Sequence, residues 1–122
     1  MDEIIYKIKA DFLRALSHPI RLQIIETLKK GERSVSDLMR ILQVSQSSLS
    51  RHLLALRDAG ILISRQERTT VYYDIKNADI FNVLRPIAEM LRKKLKESEE
   101  ILATLGKECA NWSLSNNVRF SP

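Results

Sequence analysis

The sequence predicts a mainly α-helical chain with one small β-hairpin, and three observations carry that expectation. Apolar residues recur at helical spacing through most of the 122 residues. The period changes to two only between Ile61 and Ile75. Glycine and proline number three each, few for a chain built on tight turns.

The first helix is expected from Asp2 to Leu16, with Ile4, Ile5, Ile8, Phe12, Leu13 and Leu16 on one face. Ser17-His18-Pro19 restarts the chain, serine as the cap and proline in the first turn. Leu22, Ile24, Ile25 and Leu28 form the buried face of this second helix, and Lys29-Lys30-Gly31 ends it. Ser34 caps a short third helix with Asp37 in its first turn and Leu38, Ile41 and Leu42 inward. After the turn Gln43-Val44, Ser45 caps a fourth helix held by Leu49, Leu53 and Leu56, which closes at Gly60. Two helices so closely joined, the second with a polar leading face, make a helix-turn-helix pattern.

From Ile61 to Gln66 and from Val71 to Ile75, β-branched and aromatic residues alternate with polar ones as in two strands. Glu67 to Thr70 would be the hairpin tip. A final helix is expected from Ala78 to about Leu105, interrupted in register by Pro86, with Leu84, Ala88, Leu91, Leu95, Leu102 and Leu105 near a three-four spacing. That stripe fits a pairing seam between two copies; the alternative is packing back on its own domain. The expected architecture is thus a winged helix-turn-helix with long N- and C-terminal dimerisation helices. Residues 1–105 are expected to form one winged helix-turn-helix and dimerisation domain, and 106–122 a flexible tail.

Hydrophobic content of 44% and charged content of 29% are those of an ordinary soluble domain. No apolar run is long enough to span a membrane. Met1-Asp2-Glu3-Ile4 has neither the basic start nor the apolar core of a signal peptide, so a cytoplasmic location is expected. The single cysteine, Cys109, excludes an intrachain disulfide and a thiolate-rich metal site within one chain. No cofactor is implied. A net charge of +5 suits a polyanionic partner. Between Arg40 and Tyr72 the cations are all arginine (Arg40, Arg51, Arg57, Arg65, Arg68), facing only Asp58 and Glu67. Arginine suits bidentate contact with phosphate or guanine; a solvated basic face has the same composition.

Ser45-Gln46-Ser47-Ser48-Leu49-Ser50-Arg51-His52-Leu53 invites two readings. Ser48 and His52 stand four apart on one helix face, as a nucleophile and its base could. No glycine-rich oxyanion loop or nucleophile elbow accompanies them, so an enzyme is not expected. Gln46, Ser47, Ser50 and Arg51 instead share the face opposite the leucine stripe, short serines allowing close approach to bases.

Four motifs carry a resemblance: Leu16-Ser17-His18-Pro19-Ile20-Arg21-Leu22-Gln23-Ile24-Ile25, then Ser45 to Leu53, then Leu56-Arg57-Asp58-Ala59-Gly60-Ile61-Leu62, then Val71-Tyr72-Tyr73. In this order and spacing, over about residues 10 to 76, they resemble the ArsR/SmtB family of prokaryotic repressors. The resemblance implies a homodimer with outer helices at its interface, and a DNA-reading helix in each protomer. It also implies binding to double-stranded operator DNA that an inducer relieves. On that basis Gln46, Ser47, Ser50 and Arg51 are the expected base-reading residues. His52 is expected either as a phosphate or base contact or as a partly buried ring beside Leu49 and Leu56, hydrogen-bonded to backbone. Ser34 and Ser36 at the third helix, and Arg65, Arg68 and Thr69 on the wing, are expected phosphate or minor-groove contacts. Tyr72 and Tyr73 read as hairpin packing, and His18 as part of a helix start. A protein-interaction module that does not bind DNA is the alternative.

The chain departs from the family at its sensory positions. Where thiolate sensors carry two cysteines it has Ser34-Val35-Ser36, and hydroxyls are poor ligands for soft metals. The last helix has no histidine, since the chain's two are His18 and His52. The wing tip Glu67-Arg68-Thr69-Thr70 lacks the usual glycine. The inducer is therefore open: a metalloid, a redox signal or a small molecule. Cys109 could pair across a dimer as a disulfide or a two-thiolate metalloid site, with Lys107 and Trp112 nearby; the plainer reading is a surface thiol.

Overall fold

The computed structural model describes residues 2–96 and 103–106. They fall into two compact units divided between Asn77 and Ala78, each described by itself.

In the first unit, α1 spans Asp2–Leu16, with Asp2 and Glu3 in its first turn and Arg14 in its last. Both charge placements complement the helix dipole and are stabilising. Asp11 takes Lys7 at 3.0 Å and also Arg14. Those two hydrogen bonds, Lys7's before Arg14's, hold its carboxyl below the ordinary range. The expected periodicity is present, but only Ala15 and Leu16 are buried. Ile4, Ile5, Ile8 and Leu13 are exposed, not covered by the other described residues of the first unit.

α2 spans Pro19–Leu28. Its cap is His18 rather than the expected Ser17: His18 Nδ1 accepts from the Ile20 amide at 3.1 Å. Proline at the first helical position leaves the cap to the residue just before it. Ile24, Ile25 and Leu28 are buried, whereas Leu22, expected with them, is 42% exposed. The turn after α2 closes at Gly31, whose φ of 136° favours glycine.

β1, Arg33–Ser34, is too short to carry a sequence period and was not expected. α3 follows over Val35–Leu42, with Ser34 Oγ accepting from the Asp37 amide at 3.1 Å as its cap. Leu38 is fully buried, but Ile41 is 38% exposed, contrary to expectation. An eight-residue helix has room for only a narrow inward stripe. Gln43 turns the chain with φ 56°. α4 spans Gln46–Asp58 and starts at Ser45, whose Oγ accepts from the Ser48 amide at 3.3 Å. Leu49, Leu53 and Leu56 anchor it in the core, each worth roughly 1.5–3 kcal/mol of burial.

β2 (Leu62–Glu67) and β3 (Thr70–Ile75) form the hairpin. Leu62 pairs with Ile75 and Glu67 with Thr70, and β1 joins the other edge of β3, giving a three-stranded order β1-β3-β2. Leu62 and Tyr73 point into the core, while Ile63 is exposed.

In the second unit, α5 spans Ile80–Lys94 and contains Pro86. Ile80, Phe81 and Leu84 are buried; Val83, Ile87, Met90 and Leu91 are exposed. Residues 103–106 are helical again, and α5 closes where Leu95 leaves helical geometry at φ −97°, ψ 15°, after the basic turn Arg92, Lys93, Lys94. Cations there suit the C-terminal dipole. Leu102, and all of the expected tail but Gly106, lie outside the described residues. No helix among the described residues is long and apolar enough to cross a membrane.

Candidate nucleic-acid interface

The leucine stripe of α4 leaves its opposite face outward. Gln46, Ser47 and Arg51 are exposed there, and Ser50 is half-buried. Arg51 has no hydrogen-bond partner among the described residues. Between α3, α4 and the wing lies a groove of about 490 Å³, lined among others by Ser36, Gln46, Ser50 and Thr69. Four of the site residues expected from sequence, drawn from three separate elements, thus converge on one concave surface. Met39 and Leu54 share that lining and were missed. The signal for Leu54 was available: it stands one position off the Leu49, Leu53, Leu56 stripe, and it is 43% exposed.

Ser34 is half-buried and already occupied as the α3 cap, while Ser36 is exposed. The Ser36 hydroxyl therefore stands in the first turn of α3, the helix start expected to meet a phosphate, where the helix dipole favours anions.

The five arginines of the basic segment divide sharply. Arg40 pairs with Asp37 at 3.2 Å. Arg57 donates to Ser64 Oγ at 3.2 Å, fastening the end of α4 to β2. Arg65 is clasped: Nε and Nη2 donate to the two Glu32 carboxylate oxygens at 2.8 and 2.9 Å, and Nη1 reaches Glu67 at 3.3 Å. Its guanidinium also lies 4.3 Å from the Tyr72 ring centre. The hydrogen bond from Arg65 holds Glu32 below the ordinary carboxylate range. Glu32 first, then Glu67, raises the pKa of Arg65 in turn. Arg68 sits at the tip with φ 58°, and its carbonyl accepts from Gln66 Nε2 at 3.1 Å. Without the glycine usual at such tips, an arginine takes up the left-handed conformation at a cost of roughly 1–2 kcal/mol. Its side chain, like that of Arg51, has no partner among the described residues.

His52 does not join this outward face. It is 5% exposed, its Nδ1 accepts from Arg21 Nε at 3.0 Å, and its ring centre lies 4.2 Å from that of His18. Burial first, then the nearby His18, Arg21 and Arg51, pushes its pKa below the ordinary value. The ring is buried as one expected reading had it, but its hydrogen-bond partner is the Arg21 side chain rather than backbone, and His18 is more than a helix start. Among the described residues no cluster of three or more His, Cys, Asp or Glu could hold a metal ion. Cys109, Lys107 and Trp112 lie outside the described residues.

A short helix, a left-handed turn, a capped second helix with a polar outward face and a β-hairpin define a winged helix-turn-helix protein. Residues 18–64 match the family described as "Bacterial regulatory protein, arsR family". The chain is 34% identical over 104 residues to Rv0081 of Mycobacterium tuberculosis, an HTH-type transcriptional regulator, covering 84% of this chain and 91% of the relative. It is 37% identical over 81 residues to the biofilm growth-associated repressor of Xylella fastidiosa, covering 64% and 71%. The crystal structure of Rv0081 superposes with a TM-score of 0.70 over 76% of this chain and 94% of that one, at 34% identity. A solution structure from Mycobacterium bovis, Mb0332, described as a homodimeric winged helix-turn-helix DNA-binding domain, gives 0.69 over 80% and 91%, at 26% identity. This chain belongs to the ArsR family of bacterial regulatory proteins. It is a DNA-binding transcriptional regulator and not an enzyme, so Ser48 and His52 are not read as a catalytic pair.

Proposed function

We propose that this chain is a homodimeric repressor that reads operator DNA in the bacterial cytoplasm with the outward face of α4. Gln46, Ser47, Ser50 and Arg51 meet base edges in the major groove, Gln46 suited to adenine and Arg51 to guanine. Ser34 and Ser36 at the start of α3, and Arg68 and Thr69 at the wing tip, meet the sugar-phosphate backbone and fix register. Arg65 stays with Glu32 and braces the wing. The observation that carries this reading is the groove in which Ser36, Gln46, Ser50 and Thr69 come together beside the unpartnered Arg51. Dimerisation is supported by the exposed apolar face of α1 and by Val83, Ile87 and Met90 of α5, and by the homodimeric state of the Mycobacterium bovis relative. Two-fold symmetry then sets half-sites on the order of 34 Å apart, or a multiple of that.

The test is to incubate the protein with sheared genomic DNA, recover bound fragments, and titrate them against the protein at rising salt. A recurrent, two-fold-symmetric sequence whose affinity falls steeply with salt is the expected result. Recovery of no duplex, even at low salt, overturns the reading in favour of a protein-interaction module.

A further inference from the structure

The side chain that best connects the elements of the first unit is Arg21. From α2 its Nη1 donates to the carbonyl of Ala15 at 3.2 Å and to that of Arg14 at 3.5 Å, both at the C-terminal end of α1. Its Nε donates to Nδ1 of His52, midway along α4, at 3.0 Å. One guanidinium thus spans from the exit of the apolar α1 to the helix that carries the outward-facing Gln46, Ser47, Ser50 and Arg51. The His52 ring is nearly sealed from solvent, and Arg51 is its sequence neighbour.

We propose that Arg21 and His52 form a proton-sensitive strut that sets the recognition helix against α1, so that operator affinity falls when His52 takes up a proton. Both are positioning residues. The inference rests on the reading of α4 as the DNA-reading helix.

The chemistry follows from the donor and acceptor roles. A guanidinium has donors only, so the bond exists only while Nδ1 of His52 carries a lone pair. A proton on Nδ1 turns the acceptor into a donor and sets an imidazolium against a guanidinium. The titratable and charged groups facing His52 are His18 at the α2 cap, Arg21 on α2 and Arg51 on α4. All three disfavour a further positive charge, and α1 offers Arg21 its Arg14 and Ala15 carbonyls. Burial has the same sign, as the lowered pKa of the ring reflects. The neutral ring's contribution to stability is therefore complete above the ordinary histidine value of about 6.5 and is lost as pH falls from there through the ring's lower value in the folded protein. The strut then opens, and α4 loses its tie to α1 while its leucines still hold it in the core.

The sign of the effect separates this device from ordinary electrostatics. Adding positive charge near a DNA-binding face strengthens binding to a polyanion. The strut predicts weaker binding on acidification.

The experiment measures affinity for a labelled duplex recovered in the genomic selection, from about pH 7.5 to about pH 5.5, where circular dichroism shows the helices intact. Wild type should lose affinity progressively as pH falls through the titration of His52 in the folded protein. His52→Asn, which keeps an acceptor near the Nδ1 position but takes no proton, should give a flat profile. Arg21→Lys keeps the charge but cannot reach both partners, and should bind more weakly at pH 7.5 with a flat profile. Wild-type affinity that stays constant or rises on acidification overturns the proposal, as does an Asn variant that falls in parallel with wild type. Histidine-ring nitrogen NMR on the DNA-free protein supplies an arm independent of any operator. It should find His52 at neutral pH as the Nε2–H tautomer with an accepting Nδ1; a protonated Nδ1 there overturns the strut. Failure to recover any duplex would count against the proposed function, while this spectrum would still decide the strut.

Discussion

Arg51 and Arg65 are both exposed arginines on elements that a winged helix-turn-helix turns toward DNA, yet they stand in different circumstances. Arg51 leaves α4 with no hydrogen-bond partner among the described residues. Arg65 is held by both oxygens of Glu32, by Glu67 and by the face of Tyr72. An arginine free of partners can give its fork to guanine or phosphate without breaking anything. One already in a bidentate pair must exchange one carboxylate for another anion, with little net gain. Residue type and position therefore nominate a contact, but the company a side chain keeps decides whether it is free to make one.

The largest expected effect lies beneath the recognition face and gives the comparison its baseline. Leu53 is 1% exposed, and Leu53→Ala should cost about 2–5 kcal/mol in urea unfolding by cavity formation alone. DNA binding should be lost in step with folding. Retained stability would mean that α4 is not held by its leucine stripe. Next, Arg51→Ala should leave the melt essentially unmoved while weakening specific binding by about 1–3 kcal/mol and flattening preference at one base position. Unchanged affinity and specificity would remove Arg51 from the reading face. Smaller again is Arg68→Gln at the wing tip. It should make the slope of log affinity against log salt shallower by about 0.9 per protomer, with base preference kept. The smallest effect tests the other half of the comparison. Replacing the pair together, Glu32→Gln with Arg65→Gln, swaps a neutral ion pair for a neutral amide pair. The salt slope should stay that of wild type. A loss equal to that of Arg68→Gln would show that Arg65 leaves Glu32 for a phosphate.

Much of the recognition unit was legible in sequence because its determinants are local. Ser34 and Ser45 cap their helices through the amides of Asp37 and Ser48, three residues on. The leucines of α4 repeat at helical spacing, and the hairpin shows itself by its change of period. Where local reasoning went astray, the residue's partner was not a sequence neighbour, or its space was not set by its own element. Leu22 and Ile41 have helical spacing but face outward, since helix orientation depends on what each helix packs against. β1 is two residues long and exists only by pairing with β3, Ser34 opposite Tyr72. The α2 cap is an exception with a local partner: His18 displaced Ser17 because its ring nitrogen reaches the Ile20 amide, two residues on.

By itself the sequence determined the first four helices, the caps of α3 and α4, the hairpin and the face of α4 that carries Gln46, Ser47, Ser50 and Arg51. These follow from periodicity and from hydrogen bonds a few residues long. Only the tertiary structure decided that Arg65 belongs to Glu32, 33 residues away, and His52 to Arg21, 31 residues away. It likewise gathered Ser36, Gln46 and Thr69 around one groove. Such pairings follow from how the core stacks its elements, and a charge or a lone pair takes whatever partner that stacking brings within 3 Å or so.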